Sequence, residues 1–205
     1  MYKLTVEGLA KRFGPRKVFS DISFQLTTGQ SLAVVGPNGS GKSTLLMVLL
    51  AGLRATRGRI EYTDGDRALD DAEIRARTSL VSPYLNLYDS LTAEENLTFF
   101  AAVSGGNITG KEINALLGRV GLEGRGDDLV GAYSSGMKQR LKYAVALLNK
   151  PAFLFIDEPT ANLDDAGKRI VFDLVEEQRS KAIIIIATNE TEEQGLAGQL
   201  CRVGQ

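Results

Sequence analysis

The chain has no histidine, and its 205 residues include one cysteine, Cys201. Without imidazole, acid–base catalysis by histidine and histidine-ligated metals are excluded. A lone thiol excludes an internal disulfide framework and fits a reducing compartment. Neither sign of charge dominates: 24 Lys and Arg stand against 25 Asp and Glu, a net charge of −1. A nucleic-acid binder needs a strong basic excess, so no such partner is expected. Long apolar runs are missing too. "LLMVLLAGL" (45–53) and "AIIIIA" (182–187) fall far short of the roughly 20 residues that cross a bilayer as a helix. "MYKLTVEGLAKRFG" lacks the apolar stretch of a secretory signal. Any membrane role therefore calls for a separate membrane partner. What remains, 43% hydrophobic and 24% charged, is globular composition sufficient for one domain or one domain with a sub-lobe.

Alternating "KLTVEGL" and "DISFQL" read as strands joined at Gly14-Pro15, and "SLAVVG" (31–36) reads as a short buried strand. Lys42 to Gly52 reads as a helix, "GRIEYTDG" as a strand, and Asp70 to Arg77 as a short helix. Thr92-x-x-Glu95 and Thr109-x-x-Glu112 are capping boxes that place helix starts near 92 and 109. A further helix follows Ser134–Gly136, with Leu141, Val145 and Leu148 at helical spacing, and Pro151 stops it. "AFLFIDEP" and "AIIIIAT" are buried strands flanking a helix marked by Ile170, Val171, Leu174 and Val175. Strands alternating with helices predict an α/β fold with a mainly parallel sheet. The helices from about 84 to 150 read as an inserted lobe.

Two motifs carry chemistry. "GPNGSGKST", Gly36, Pro37, Asn38, Gly39, Ser40, Gly41, Lys42, Ser43 and Thr44, fits G-x-x-x-x-G-K-[ST] between a strand and a helix. Its glycines let backbone N–H groups converge on phosphate oxygens, and the helix N-terminus favours negative charge. Lys42 reaches the β- and γ-phosphates and the Ser43 hydroxyl holds Mg²⁺. "FLFIDEP" ends a buried strand in two acids: Asp157 is the carboxylate on the Mg²⁺ side, and Glu158 the base or positioner for an attacking water. The expected ligand is a nucleoside triphosphate with Mg²⁺, which the resemblance below narrows to ATP. "GAYSSGMKQR" opens a helix at Ser134 or Ser135, and by itself is an ordinary N-cap.

The order P-loop, helical insert, Ser-x-Gly helix head and Asp-Glu strand resembles the ATP-binding cassette (ABC) family over essentially the whole chain. "YSSGM" stands at the family's Leu-Ser-Gly-Gly-Gln signature, "ANLD" (161–164) matches the D-loop, and Phe13 falls where an aromatic stacks on adenine. In length the chain is similar to haem-exporter and drug-exporter subunits. The resemblance implies a P-loop NTPase core (1–82 and 151–205) with an N-terminal antiparallel β subdomain and an inserted helical subdomain (83–150). It also implies a head-to-tail dimer, with itself or with a related ATPase subunit. Ser134, Ser135 and Gly136 of one subunit then cap the γ-phosphate held by the other. The resemblance further implies a separate membrane permease driven from the cytoplasmic face, with export as the expected direction.

Three segments depart from the family pattern. Tyr133, Ser135 and Met137 replace the signature's Leu, Gly and Gln; Ser135 is tolerable unless that backbone needs a positive φ. In "LVSPYLNLYDSLTAEENL" (80–97) the family's Q-loop Gln falls at Ser82-Pro83, and proline offers neither amide nor N–H. Tyr84, Leu85, Leu87 and Tyr88 either line a groove for a membrane partner or pack between lobes. The family's switch histidine is Asn189, which donates one hydrogen bond and carries no charge. Two functions stay open: an ATP-hydrolysing transporter subunit with slow turnover, or a dimerising ATP sensor that scarcely hydrolyses. A DNA-associated ABC ATPase is disfavoured by the charge balance and the lack of heptads.

Overall fold

The structure, a computed structural model, describes residues 1–204. Strands β1 (Tyr2–Phe13) and β2 (Arg16–Thr27) form the hairpin expected around Gly14-Pro15. Gly14, at φ 56°, supplies the left-handed turn residue. Next come β3 (Ser31–Val35), α1 (Lys42–Leu49), β4 (Arg57–Asp64) and the two-residue β5 (Arg67–Ala68). After α2 (Asp71–Arg77) and β6 (Thr78–Val81) stand three helices: α3 (Ala93–Val103), α4 (Gly110–Arg119) and α5 (Ser135–Leu147). The chain closes with β7 (Phe153–Asp157), α6 (Asp165–Arg179), β8 (Ile183–Thr188), α7 (Thr191–Gln194) and β9 (Gln199–Arg202). One sheet is antiparallel, ordered β2-β1-β4-β5; the other is parallel, ordered β6-β7-β8-β3-β9. This is the expected α/β architecture.

Every residue of β3, β7 and β8 is buried, as in a parallel sheet covered on both faces. The period of two then sorts the side chains. Leu154, Ile156, Ile184 and Ile186 join the apolar residues of α3 to α6 on one face. Phe153, Phe155, Ile183, Ile185 and Leu32 join α1 and the antiparallel sheet on the other. Phe153 links the two sheets. Its ring meets Tyr62 edge-on at 4.8 Å and Tyr2 at 5.6 Å between centroids.

The capping boxes at Thr92 and Thr109 are both formed, with each threonine side chain accepting from the glutamate amide and each glutamate returning the bond. Two boundaries differ from the sequence reading. Helix α1 ends at Leu49 rather than Gly52. Ala51 takes φ 57°, and the Tyr62 hydroxyl donates to the Leu49 carbonyl at 2.8 Å, satisfying an acceptor a longer helix would have used. The helical run starts at 93, not 84. Residues 82–91 are irregular because the fully buried Asn96 pairs with this segment: its Oδ1 accepts from Tyr88 N at 2.9 Å and its Nδ2 donates to Tyr88 O at 3.0 Å. Strands β5, β6 and β9 and helix α7 were not anticipated.

Among the described residues no helix is long and apolar enough to cross a membrane.

Candidate functional site: a phosphate cradle at the sheet edge

Register builds the site. Val35 pairs with Thr188, and Asp157 with Ala187, so β3, β7 and β8 end level at one sheet edge. Gly36, Glu158 and Asn189 leave the sheet there side by side. Ligands of open parallel sheets collect at this edge.

The loop from Gly36 to Gly41 must turn from β3 into α1 in six residues. Gly39 and Gly41 sit at φ 78° and 104°, and a Cβ on Gly41 would lie 2.4 Å from Val18 Cγ1. A Cβ on Gly36 would lie 2.6 Å from both Ser40 Oγ and the Val203 carbonyl. Glycine is therefore required for conformation at Gly41 and for close approach at Gly36. The amides of Gly39, Gly41, Lys42, Ser43 and Thr44 have no acceptor among the described residues. They are the orphan donors of a helix N-terminus, the arrangement that holds phosphate.

Lys42 is buried, and its ammonium donates to the carbonyls of Gly36 at 2.9 Å and Pro37 at 3.2 Å. A cleft of about 420 Å³ is lined by Asn38, Gly39, Gly41, Lys42, Ser43 and Thr44, with Phe13, Arg16, Val18, Tyr84 and Glu158 around its mouth. Phe13 is half exposed there, and the Lys11 ammonium sits 4.6 Å from its ring centroid. Of the predicted loop residues, Gly36, Pro37 and Ser40 shape the loop from behind and do not line this cleft.

Asp157 faces a second cleft, of about 440 Å³, shared with Ser43, Thr44, Ser82 and Tyr84. Its Oδ1 is buried without a hydrogen-bond partner. Burial raises its pKa above the ordinary carboxylate value, while the Ser43 hydroxyl and the Lys42 ammonium pull it down. A buried, unpaired carboxylate oxygen beside a serine hydroxyl is an incomplete oxygen donor set. Such a set fits a hard divalent cation like Mg²⁺. Glu158 takes φ 53° with its side chain exposed at the cleft mouth. A left-handed backbone costs a non-glycine residue about 1–2 kcal/mol, strain of the kind that gathers at functional sites.

The remaining predicted residues lie elsewhere. Ser134 and Ser135 are exposed at the head of α5, and neither they nor Gly136 line the clefts beside this chain's own P-loop. Ser134 Oγ accepts from Met137 N at 3.2 Å, while the Ser135 and Gly136 amides have no partner among the described residues. Ser135 is absent from the positive-φ positions, so the serine sits there without strain. Gly136 is tight: a Cβ would lie 3.2 Å from the Asn162 carbonyl of the D-loop segment. Asn189 is exposed at the end of β8.

Sequence reasoning gave Tyr84 no place beside the P-loop and missed Lys142 altogether. Tyr84, 81% exposed, lines both clefts, so it is not inter-lobe packing. Tyr88 instead packs edge-on against Phe99 at 4.8 Å. At the Q-loop position, Lys142 donates to the carbonyls of Ser82 at 3.1 Å and Pro83 at 2.9 Å. That lysine lies 60 residues away, and no local pattern announces it.

The profile of the ABC transporter family matches residues 19–161. The chain belongs to the ABC transporter family. Among its relatives is the cytochrome c biogenesis ATP-binding export protein CcmA of Brucella abortus, 35% identical over 188 residues, covering 91% of this chain and 85% of that one. Another is the daunorubicin resistance ATP-binding protein DrrA3 of Streptomyces coeruleorubidus, 33% identical over 193 residues, covering 93% of this chain. A solved ATP-binding subunit of an ABC transporter superposes with a TM-score of 0.84 at 27% identity, over 98% of this chain and 85% of that one. The chain spans 61% of the length of DrrA3 and 65% of two other curated relatives.

Proposed function

We propose that the chain is the ATP-hydrolysing subunit of an ABC exporter, acting as a head-to-tail dimer on a separate membrane permease from the cytoplasmic side. The observation that carries the reading is the juxtaposition of Lys42, Ser43, the unpaired Asp157 carboxylate and the strained Glu158 at one sheet edge. The names of the export and drug-resistance relatives favour export. The division into a core (1–82, 151–205) and a helical subdomain (83–150) accompanies this reading.

The free amides of Gly39, Gly41, Lys42, Ser43 and Thr44 bind the triphosphate, and Lys42 exchanges its two carbonyl partners for phosphate oxygens, a stronger charge-assisted contact. Phe13 offers an aromatic surface to the base. Ser43 and Asp157 hold Mg²⁺, which when bound neutralises charge developing on the phosphates. Glu158 orients the attacking water and accepts its proton. Across the dimer, Ser134 and the free amides of Ser135 and Gly136 cap the γ-phosphate as a helix N-terminus caps an anion. Asn189 contributes one neutral donor. Losing one such donor costs about 10²–10³ in rate when it acts on the transition state, so replacing a cationic histidine by Asn is expected to leave binding tight and turnover slow.

The test is Glu158→Gln with Mg-ATP. Light scattering behind gel filtration is expected to show a stable dimer with hydrolysis abolished. A monomer that binds ATP would refute the head-to-tail reading.

A further inference from the structure

Glu193 is a buried carboxylate that the scheme above leaves without a task. It lies on α7, 3% exposed, and among the described residues no cation pairs with it: Lys168 pairs with neighbouring Glu192 instead, at 3.7 Å. Its partners are hydrogen-bond donors from two different loops. Oε1 accepts from the Thr160 amide at 3.0 Å and from the Thr160 hydroxyl at 2.5 Å. Oε2 accepts from the Thr188 hydroxyl, whose oxygen in turn accepts from the Glu190 amide at 2.9 Å.

Those partners bracket the reacting groups. Thr160 stands two residues after Glu158, and between them the Pro159 carbonyl is held by the hydroxyl of fully buried Tyr143 on α5 at 2.8 Å. Thr188 is the residue before Asn189. The Glu158 amide donates to the Ala187 carbonyl at 3.0 Å, so the two loops are also joined at their base. One carboxylate thus closes a ring through residues 158–160 and 187–190. Glu158, on one side of that ring, lines the cleft beside the P-loop, and Asn189, exposed, follows Thr188 on the other. Three hydrogen bonds from two segments converge on this one buried side chain, and a buried polar group bonded in this way fixes local geometry.

We propose that Glu193 is a positioning residue that holds the Glu158 and Asn189 loops in one arrangement, so that hydrolysis depends on it and nucleotide binding does not. The proposal rests on the ATPase reading, and its test fails separately from it, because Glu158→Gln probes that reading in the otherwise unchanged protein.

The experiment is a double-mutant cycle. Glu193→Gln keeps the volume of the side chain and removes one acceptor. It is expected to lower kcat about tenfold or more, with Mg-ATP affinity by fluorescence titration changed less than about twofold. In an Asn189→Ala background the same substitution is expected to cost less than in the otherwise unchanged protein, since one of the two groups it positions is gone while Glu158 remains. Thr160→Val, which withdraws one donor from the same carboxylate, is expected to lower kcat and to be non-additive with Glu193→Gln. Equal losses in both backgrounds, additive losses with Thr160→Val, unchanged turnover, or an affinity that falls in step with kcat would each overturn the assignment.

Discussion

Asp157→Asn separates what this carboxylate costs the fold from what it gives the site. Its Oδ1 is buried with no partner and burial raises its pKa. A polar group left unsatisfied costs about 1–3 kcal/mol. The asparagine amide is neutral but brings N–H donors of its own, so the lower end applies. The substitution should stabilise the nucleotide-free protein by about 1 kcal/mol, or about 2–4 °C for a chain of this size. The sign with pH follows from linkage: a raised folded pKa means the folded state holds the proton more tightly than the unfolded one. Stability on this account falls as pH rises from the unfolded value toward the folded one, and the penalty is complete above it. The advantage of Asp157→Asn should therefore be full at neutral pH and shrink as pH is lowered toward the unfolded carboxylate range. With Mg-ATP the order reverses. Wild type gains about 2.7 kcal/mol at a ligand concentration a hundredfold above Kd, and the variant loses the Mg²⁺-dependent part. Thermal unfolding with ATP, with and without Mg²⁺, measures both. A lowered nucleotide-free Tm, or an undiminished Mg-ATP shift, would refute the reasoning.

Gly41→Ala forces a side chain into φ 104° and within 2.4 Å of Val18 Cγ1; ATP affinity should fall at least about tenfold, a loss of about 1.4 kcal/mol, while circular dichroism shows the fold retained. Tyr143→Phe leaves the Pro159 carbonyl without its 2.8 Å donor, and urea unfolding should show a loss of about 1–3 kcal/mol with an unchanged m-value. Thr92→Ala removes one half of a formed capping box, for a loss of about 1 kcal/mol in the same assay.

What was legible in the sequence is what short-range chemistry writes. The Thr92 and Thr109 boxes complete their bonds within four residues, and the glycine loop ahead of α1 is contiguous, so helix starts and that strand–loop–helix turn were readable directly. The strands β7 and β8 were readable because a strand buried on both faces is apolar throughout. Long-range bonds left no such mark. The end of α1 is set by Tyr62, 13 residues on, and the Ser82-Pro83 segment is held by Lys142. Glu193 sits in an acidic, surface-like stretch, "NETEEQ", and only the fold turns its carboxylate inward. Four-residue β6 and β9 carry too short a pattern to stand out.

The central claim is that each ATP is completed by a second chain, and mixing tests it most directly. Lys42→Ala disables the P-loop and Gly136→Asp disables the helix head, so neither variant alone should hydrolyse ATP. Combined, they should regain activity, because a mixed dimer contains one site built from an intact P-loop and an intact α5 head. If both variants are folded, Gly136→Asp still binds ATP and the mixture stays inactive, the composite site is contradicted.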